Sequence, residues 1–431
     1  MFKKILGAAA LCSAILVATS FAVSGIDKKK KDDMLKQVEL FSNALVIVED
    51  EYVDNVSGKD LIYGALKGML SALDPHSQFL DPNDYNELKI DTEGQFGGLG
   101  IEISIKDGLL TIITPIEDTP AWKAGIKAGD RIVKINNELT RDITLTDAVK
   151  KMRGKPGEAV DLAIWRESEK KVLEFRIVRD IIKIRDIKDA RILEDGIAYI
   201  RLIEFRENTP GDMDKVLDRL SKEGMSALVL DLRNNPGGLL DIAAKVSEKF
   251  IPEGKLIVST KGRKDSQNLQ FFAHGRRIYQ DIPIAVLINE GSASGSEIVA
   301  GCFQDYKRAV ILGKKSFGKG FVQTVIPLGD GSAIKLTTSR YFTPLDRPIQ
   351  GIGIMPDIEV ESEPLKKEEK QEQPAVKTED VFEQLEAKPE EKEAAPVMDY
   401  KSDKQLMAAI DALKAIKVYQ QDTGDKAHGA S

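Results

Sequence analysis

A chain of 431 residues with 42% hydrophobic and 30% charged side chains and a net charge of −7 has the makeup of a soluble globular protein of two or three domains plus linkers. An acidic balance with no single-sign field excludes a nucleic-acid polyanion as the main partner. Two cysteines, Cys12 and Cys302, exclude a disulfide scaffold.

Lys3 and Lys4 precede an apolar run over residues 5–23, with Ser20 and Ala22 at the −3 and −1 positions of a cleavage site. Residues 1–22 are therefore expected to be a signal peptide, or else a retained anchor, and the chain to be exported, to the periplasm or the outer face of a bacterial inner membrane. Leu11 stands before Cys12 where a lipidation site wants a small residue. Helix-period apolar positions, among them Leu35, Val38, Phe41, Leu45, Leu61 and Leu66, predict a small helical unit over residues 33–90, punctuated by Asp74-Pro75 and Asp81-Pro82. From Phe96 the texture turns to short runs at 99–105, 109–114, 131–135 and 160–166, with one helical stretch at 145–152, which predicts a β-rich module over 91–168. Then strands (197–205, 227–232, 284–289) alternate with helices (210–222, 239–250, 296–306), and an α/β core with parallel strand pairs is expected over 169–361. Residues 362–396 are dominated by Glu, Lys, Pro, Gln and Ala and read as a disordered linker. Leu406, Ile410, Leu413 and Ile416 mark a last amphipathic helix within 397–422 that docks on something.

Three segments carry candidate chemistry. The run Gly291-Ser292-Ala293-Ser294-Gly295-Ser296-Glu297 joins a strand to a helix. Small residues in such a turn expose a hydroxyl and backbone N–H groups together, and a helix start favours developing negative charge. Ser294 and Glu297 also have the spacing of a capping box, which by itself is the commoner meaning. A nucleophilic serine needs a base, and His76, His274 and His428 lie in no recognisable catalytic motif. Lys319, between Gly318 and Gly320, is the other candidate, with Gln323 on the same face if the segment is extended. A free lysine titrates near ~10.4, so one serving as base near neutral pH requires roughly 4 kcal/mol of desolvation. The spacing of Gly313 and Gly318-Lys319 imitates a phosphate loop, but Gly320 replaces the Ser or Thr that would hold Mg²⁺ and a strand follows. The third segment, Leu230-Asp231-Leu232-Arg233-Asn234-Asn235-Pro236-Gly237-Gly238, ends a strand in a glycine-paired turn whose free amides can serve an oxyanion. Cys302, in an apolar helical run, reads as a buried structural thiol.

Taken together and in this order, these segments resemble the carboxyl-terminal processing proteases, Ser/Lys endopeptidases with a PDZ domain. The likeness runs from about Asp33 to Val360 and includes Leu73-Asp74-Pro75-His76-Ser77, Gly97 to Glu102, Tyr341-Phe342-Thr343-Pro344 and the run from Ile349 to Asp357. The resemblance implies an α/β protease core of the ClpP/crotonase type with a mixed sheet, an inserted or preceding PDZ domain and a helical N-terminal unit. It assigns Ser294 as nucleophile, Lys319 as base and Gln323 as the partner that orients it. It assigns the oxyanion hole to the amide of Gly295 and one from Gly237 or Gly238. Two positions depart from the pattern: Gly295 stands where alanine is usual, and Asp346 where a small residue is more frequent.

The run Gly98-Leu99-Gly100-Ile101 before a strand matches the loop by which PDZ domains cradle a terminal carboxylate. Arg153, just past the ligand-lining helix, is the candidate contact coupling that module to the Ser294 cleft. The expectation is a cell-envelope serine endopeptidase acting on proteins with exposed C-termini, with no metal, cofactor or nucleic acid. The terminal helices are candidates for pairing subunits, and an adaptor protein is a candidate partner. The alternatives are a PDZ scaffold with an inactive protease domain, or hydrolysis with His274 as base.

Overall fold

The computed structural model describes residues 32–106, 108–141, 143–275, 279, 281–361 and 400–428, with side chains beyond 420 left out. The expected signal peptide and the expected linker at 362–396 lie outside them. The chain divides into two compact units, one of residues 1–82 and 325–336 and one of 83–324 and 337–431.

In the first unit, helices span residues 32–51 and Gly58–Ser71. Strand Gln78–Leu80 pairs antiparallel with residues 333–335. Leu70, Phe79 and Leu80 are buried, and the Tyr63 ring meets Phe79 at 4.7 Å while its hydroxyl donates to Asp330 at 2.7 Å. The helical periodicity read at Leu35, Val38, Phe41 and Ile47 forms a helix, yet these side chains remain exposed.

The second unit begins with helix residues 83–93 and contains two folded bodies of sheet. In the first body, strands Ile101–Lys106, Leu109–Pro115, Arg131–Ile135, Ala159–Arg166 and Lys171–Val178 follow one another in an antiparallel sheet. Leu110 with Ile112 and Leu162 with Ile164 alternate into its core, as a period of two requires, and a register shift after Ile132 brings Ile135 to the same core. Helix Leu145–Met152 is capped by Thr144, whose hydroxyl oxygen accepts from the Asp147 N–H at 3.1 Å. The boundary expected at 168 falls inside a hairpin: Lys171–Val178 pairs along its whole length with Ala159–Arg166, so this body extends to Val178. That strand is half-exposed and interleaved with Glu174 and Arg176, which hid its apolar period.

The second body is a six-stranded sheet in the order Ile187–Ile192, Ile197–Leu202, Ala227–Asp231, Ile284–Ile288, Val310–Gly313 and Ile358–Glu359. The first pair is antiparallel and every later pair parallel. One face, through Ala198, Ile200, Leu228, Leu230, Val286 and Ile288, packs on helices Thr209–Lys222, Leu240–Ser247 and Gly295–Asp305. The alternate residues Tyr199, Ala227, Val229, Ala285 and Leu287 pack on the C-terminal helix Lys404–His428 through Leu406, Ala409, Ile410 and Leu413. Both faces are thus covered, which is why these strands read as continuous apolar runs. Burial of each leucine or isoleucine side chain of that helix contributes about 2 kcal/mol of hydrophobic stabilisation. A smaller sheet sets Leu256–Gly262 between Gln270–Phe272 and residues 339–342. Among the described residues no helix is long and apolar enough to cross a membrane.

Candidate active site

The three segments singled out in the sequence meet at the C-terminal ends of neighbouring parallel strands, Ala227–Asp231, Ile284–Ile288 and Val310–Gly313, where open α/β sheets place their ligands. Polar side chains with no exposed surface tie the first two segments together. Ser292 Oγ donates to the Leu232 carbonyl at 2.8 Å and Ser296 Oγ to the Asn235 carbonyl at 2.9 Å. The Ala293 N–H donates to the same Asn235 carbonyl at 3.0 Å. Asn289 and Asn234 exchange bonds across the gap, Asn234 N–H to Asn289 Oδ1 at 2.8 Å and Asn289 Nδ2 to Asn234 Oδ1 at 2.9 Å. Ser292 and Ser296 are thereby committed to structure. Ser294 is the serine of the run left half-exposed.

Ser294 has φ 53° and ψ −111°, a left-handed conformation that a β-carbon disfavours. Surrounding bonds over-determine it: its N–H donates to Glu297 Oε2 at 2.8 Å and its carbonyl accepts from the Glu297 N–H at 2.9 Å. The Glu297 half of the expected capping box is thus made. The Ser294 hydroxyl lies beside the Tyr341 phenol, which itself donates to the Lys319 carbonyl. Burial, with the nearby Glu297 charge, pushes the Tyr341 hydroxyl well above its ordinary value, so it is a neutral donor.

The Lys319 loop runs from strand Val310–Gly313 to strand Phe321–Pro327. The Gly318 and Lys319 N–H groups donate to Glu297 at 2.7 and 2.9 Å. Gly320 N–H donates to Gln350 Oε1 at 2.8 Å, and Gly351 N–H to the Gly318 carbonyl at 2.8 Å. A side chain at Gly320 would come within 2.4 Å of the Gln350 nitrogen, which explains that glycine. Lys319 and Gln323 were expected to share the face of one strand, but Lys319 precedes the strand and the two side chains share no hydrogen bond. Among the described residues Gln323 Nε2 is buried without a hydrogen-bond partner, and no bond joins Lys319 Nζ to Ser294 Oγ.

The turn at Gly237 and Gly238 separates the two glycines left open by the sequence. Gly237 N–H donates to Asn235 Oδ1 at 2.9 Å and is occupied. Gly238 N–H has no acceptor among the described residues, and neither has the Gly295 N–H. Gly237 sits so close to the Ser294 turn that a β-carbon there would lie 2.6 Å from Ser294 Cβ. Gly238 lies beside Phe205, whose N–H donates to the Gly237 carbonyl at 2.9 Å and whose carbonyl accepts from Leu239 N–H at 2.9 Å. At Gly295, the place a β-carbon would take is met by the Phe205 ring at 3.0 Å.

At the other candidate site, Leu99 is buried in the core and offers backbone, and Gly100 has φ 79° with a β-carbon position only 2.3 Å from Thr119. The Leu99 and Gly100 N–H groups have no acceptor among the described residues. Gly98 is pinned by pairing with Asp180, and Ile101 opens strand Ile101–Lys106, the edge of its sheet, with helix Leu145–Met152 beside it. Arg153 pairs with Glu87 at 2.8 Å and lies 4.6 Å over the Phe96 ring. His274 faces Glu248 at 3.4 Å and is 84% exposed. Asp346 has φ 60°, the left-handed region that makes a smaller residue natural there, and pairs with Lys261 at 2.5 Å. Burial pushes the Cys302 thiol well up, which suits a structural role.

Sequence reasoning left out Asn235 and Tyr341 as site residues and took Glu297 for a cap. Only Glu297 had a local signal, its spacing from Ser294.

Comparison with known proteins matches the model of peptidase family S41 at residues 196–360, a PDZ domain at 111–166 and the activating protease CtpB N-terminal domain at 11–84. A carboxy-terminal-processing protease of Bartonella bacilliformis is 45% identical over 340 residues, 78% of each chain. A probable CtpA-like serine protease of Staphylococcus epidermidis is 34% identical over 361 residues, 83% of this chain and 72% of that one. Among solved structures, the photosystem II D1 C-terminal processing protease is 29% identical with a TM-score of 0.43, covering 75% of this chain and 92% of that one.

Proposed function

The chain belongs to the carboxy-terminal-processing proteases of peptidase family S41, and on that premise we propose that it is an exported endopeptidase working through Ser294 and Lys319. Ser294 Oγ attacks the peptide carbonyl while Lys319 takes its proton; the C–N bond then breaks as Lys319 passes that proton to the leaving amine. Water, deprotonated by the same lysine, releases the acyl group and regenerates the serine. Gly295 and Gly238 donate their N–H groups to the oxyanion, and Gln323 orients the lysine. Substrate entry turns the Ser294 hydroxyl from Tyr341 toward Lys319, since catalytic hydrogen bonds often tighten only in the substrate complex.

The observation that carries this reading is the strained Ser294 turn flanked by two amides without acceptors among the described residues, Gly295 and Gly238. Open donors beside a hydroxyl are what an oxyanion needs. Ser294→Ala and Lys319→Ala should each lower kcat/KM on a denatured protein with an apolar C-terminus by about a thousandfold or more. Full activity in either variant overturns the mechanism.

The PDZ module supplies substrate. The Leu99 and Gly100 amides hold a terminal carboxylate, and the peptide adds as a strand along Ile101–Lys106. Amidating the C-terminus of a test peptide should abolish its binding. Export rests on residues 1–22 as a signal peptide, and the mature protein recovered from the envelope should begin at Val23.

A further inference from the structure

Glu297 has no exposed surface and accepts four hydrogen bonds. Oε2 takes the N–H of Ser294 at 2.8 Å and the N–H of Lys319 at 2.9 Å. Oε1 takes the N–H of Gly318 at 2.7 Å and the hydroxyl of Ser316 at 2.6 Å. The Ser316 oxygen in turn accepts from the Ile354 N–H at 2.6 Å. An ionised carboxylate offers about four lone-pair sites, and every one is filled. Neither a carboxylic acid nor a carboxamide can accept four donors in this cage, since each would turn a hydrogen of its own toward one.

A helix cap would need only the first of these bonds. The other three reach across to the base loop, and one oxygen atom receives both the nucleophile's N–H and the base's N–H. The spacing between the two reacting residues is thus set through a single atom. We propose that Glu297 is a positioning residue that, as a carboxylate, fixes the distance from Ser294 to Lys319 and so governs the chemical step rather than substrate capture. The assignment rests on the Ser294 and Lys319 reading above. Effects of this kind are large because a misplacement of about 1 Å can cost on the order of a hundredfold in rate.

The sign of the acid dependence follows. Burial raises the Glu297 carboxyl above its ordinary range, and the four donors oppose that rise. The titratable residue facing it is Tyr341, from strand Ala333–Phe342, whereas Lys319 meets it through the backbone N–H alone. As pH falls through the raised value, Glu297 takes up a proton and the cage loses an acceptor, so kcat falls on the acid side. Removing a donor raises that value further.

The test is steady-state turnover of a peptide by the full-length protein carrying Glu297→Gln, Ser316→Ala or Ser294→Ala. We expect Glu297→Gln to lower kcat about a hundredfold with KM within twofold of the parent, and labelling of Ser294 by a sulfonyl fluoride to slow in parallel. Ser316→Ala, which removes one donor of four, should lower kcat less and move the acid limb to higher pH. Parental kcat in Glu297→Gln, in an enzyme that Ser294→Ala inactivates, overturns the positioning role and leaves the serine mechanism standing. Should Glu297→Gln fail to fold, parental kcat and an unmoved acid limb in Ser316→Ala overturn it equally. Turnover by Ser294→Ala removes the mechanism and the positioning role together.

Discussion

The turn at Ser294 and the loop at Leu99 and Gly100 in the PDZ module both present backbone amides without acceptors among the described residues, yet they are built in opposite ways. Around Gly295 and Gly238, buried polar side chains hold the backbone: Asn235, Ser292, Ser296 and Glu297 have no exposed surface and every one is hydrogen-bonded. Around Leu99 and Gly100, the loop is held by backbone bonds, Ala121 N–H to the Leu99 carbonyl and Ile116 N–H to the Gly100 carbonyl, and by the Thr119 hydroxyl. The difference follows from the task. A transition-state site works by preorganisation, and a satisfied polar network rigidifies the donors before charge develops. A peptide site that adds a strand draws its affinity from the main chain and its specificity from side chains that differ among ligands, so glycine geometry at an open edge is sufficient.

Substitutions in the two regions should therefore behave differently. The largest effect is expected at Asn235, whose Nδ2 donates to the Leu202 carbonyl at 2.9 Å while its Oδ1 occupies the Gly237 N–H. Asn235→Ala frees Gly237 to compete with Gly238 and loosens the turn, and kcat should fall about 100- to 1,000-fold, the usual cost of losing an oxyanion donor. A kcat within threefold of the parent would show that the network is not what aims these amides.

Next comes Arg233, which joins the same turn to the C-terminal helix. Its guanidinium donates to both oxygens of Asp231, at 2.9 and 2.6 Å, and to both of Asp403, at 3.0 and 2.7 Å. Asp231 is fully buried, so Arg233→Ala leaves an uncompensated charge and should cost about 3–5 kcal/mol in thermal or urea unfolding. Burial alone would raise the Asp403 carboxyl, but the Arg233 hydrogen bonds and charge outweigh it and hold that group below the ordinary range. A depressed value means that this pairing stabilises the fold above the unfolded carboxyl's pKa and is lost as pH falls through the folded one. Protection factors in residues 404–419, corrected for the intrinsic pH dependence of amide exchange, should fall on acidification, and at neutral pH in Arg233→Ala; protection independent of both would refute the anchoring role.

The smallest catalytic effect is expected at Gly100. Its φ of 79° and the 2.3 Å approach to Thr119 make Gly100→Ala strained, so the carboxylate loop should open and peptide affinity fall about tenfold or more. Turnover of a short peptide lacking a free C-terminus should stay within twofold. An equal loss on both substrates would mean that the two regions are not separable in this way.

Much of this architecture was legible in the sequence because its signals are local. Continuous apolar strands at 227–232 and 284–289, amphipathic helices between them and the glycine-paired turn each declare themselves within ten residues. Strand Lys171–Val178 did not, because its half-exposed face carries charges and the hairpin turn runs through Lys170 at φ 47° rather than a glycine. The choice between Gly237 and Gly238 was hidden for another reason: it depends on where the Asn235 side chain points, a bond two residues long that composition does not encode. Glu297 was visible only as a cap, since three of its four partners are 19 to 22 residues away in sequence. Tyr341, which bridges Ser294 and Lys319, had no local signal at all.

The most direct measurement is the intact mass and labelling rate of the full-length protein treated with a peptidyl phosphonate. The account predicts one adduct, mapped to Ser294, forming at a rate that collapses in Lys319→Ala. An adduct on any other residue, or equal labelling with Lys319 removed, would contradict it.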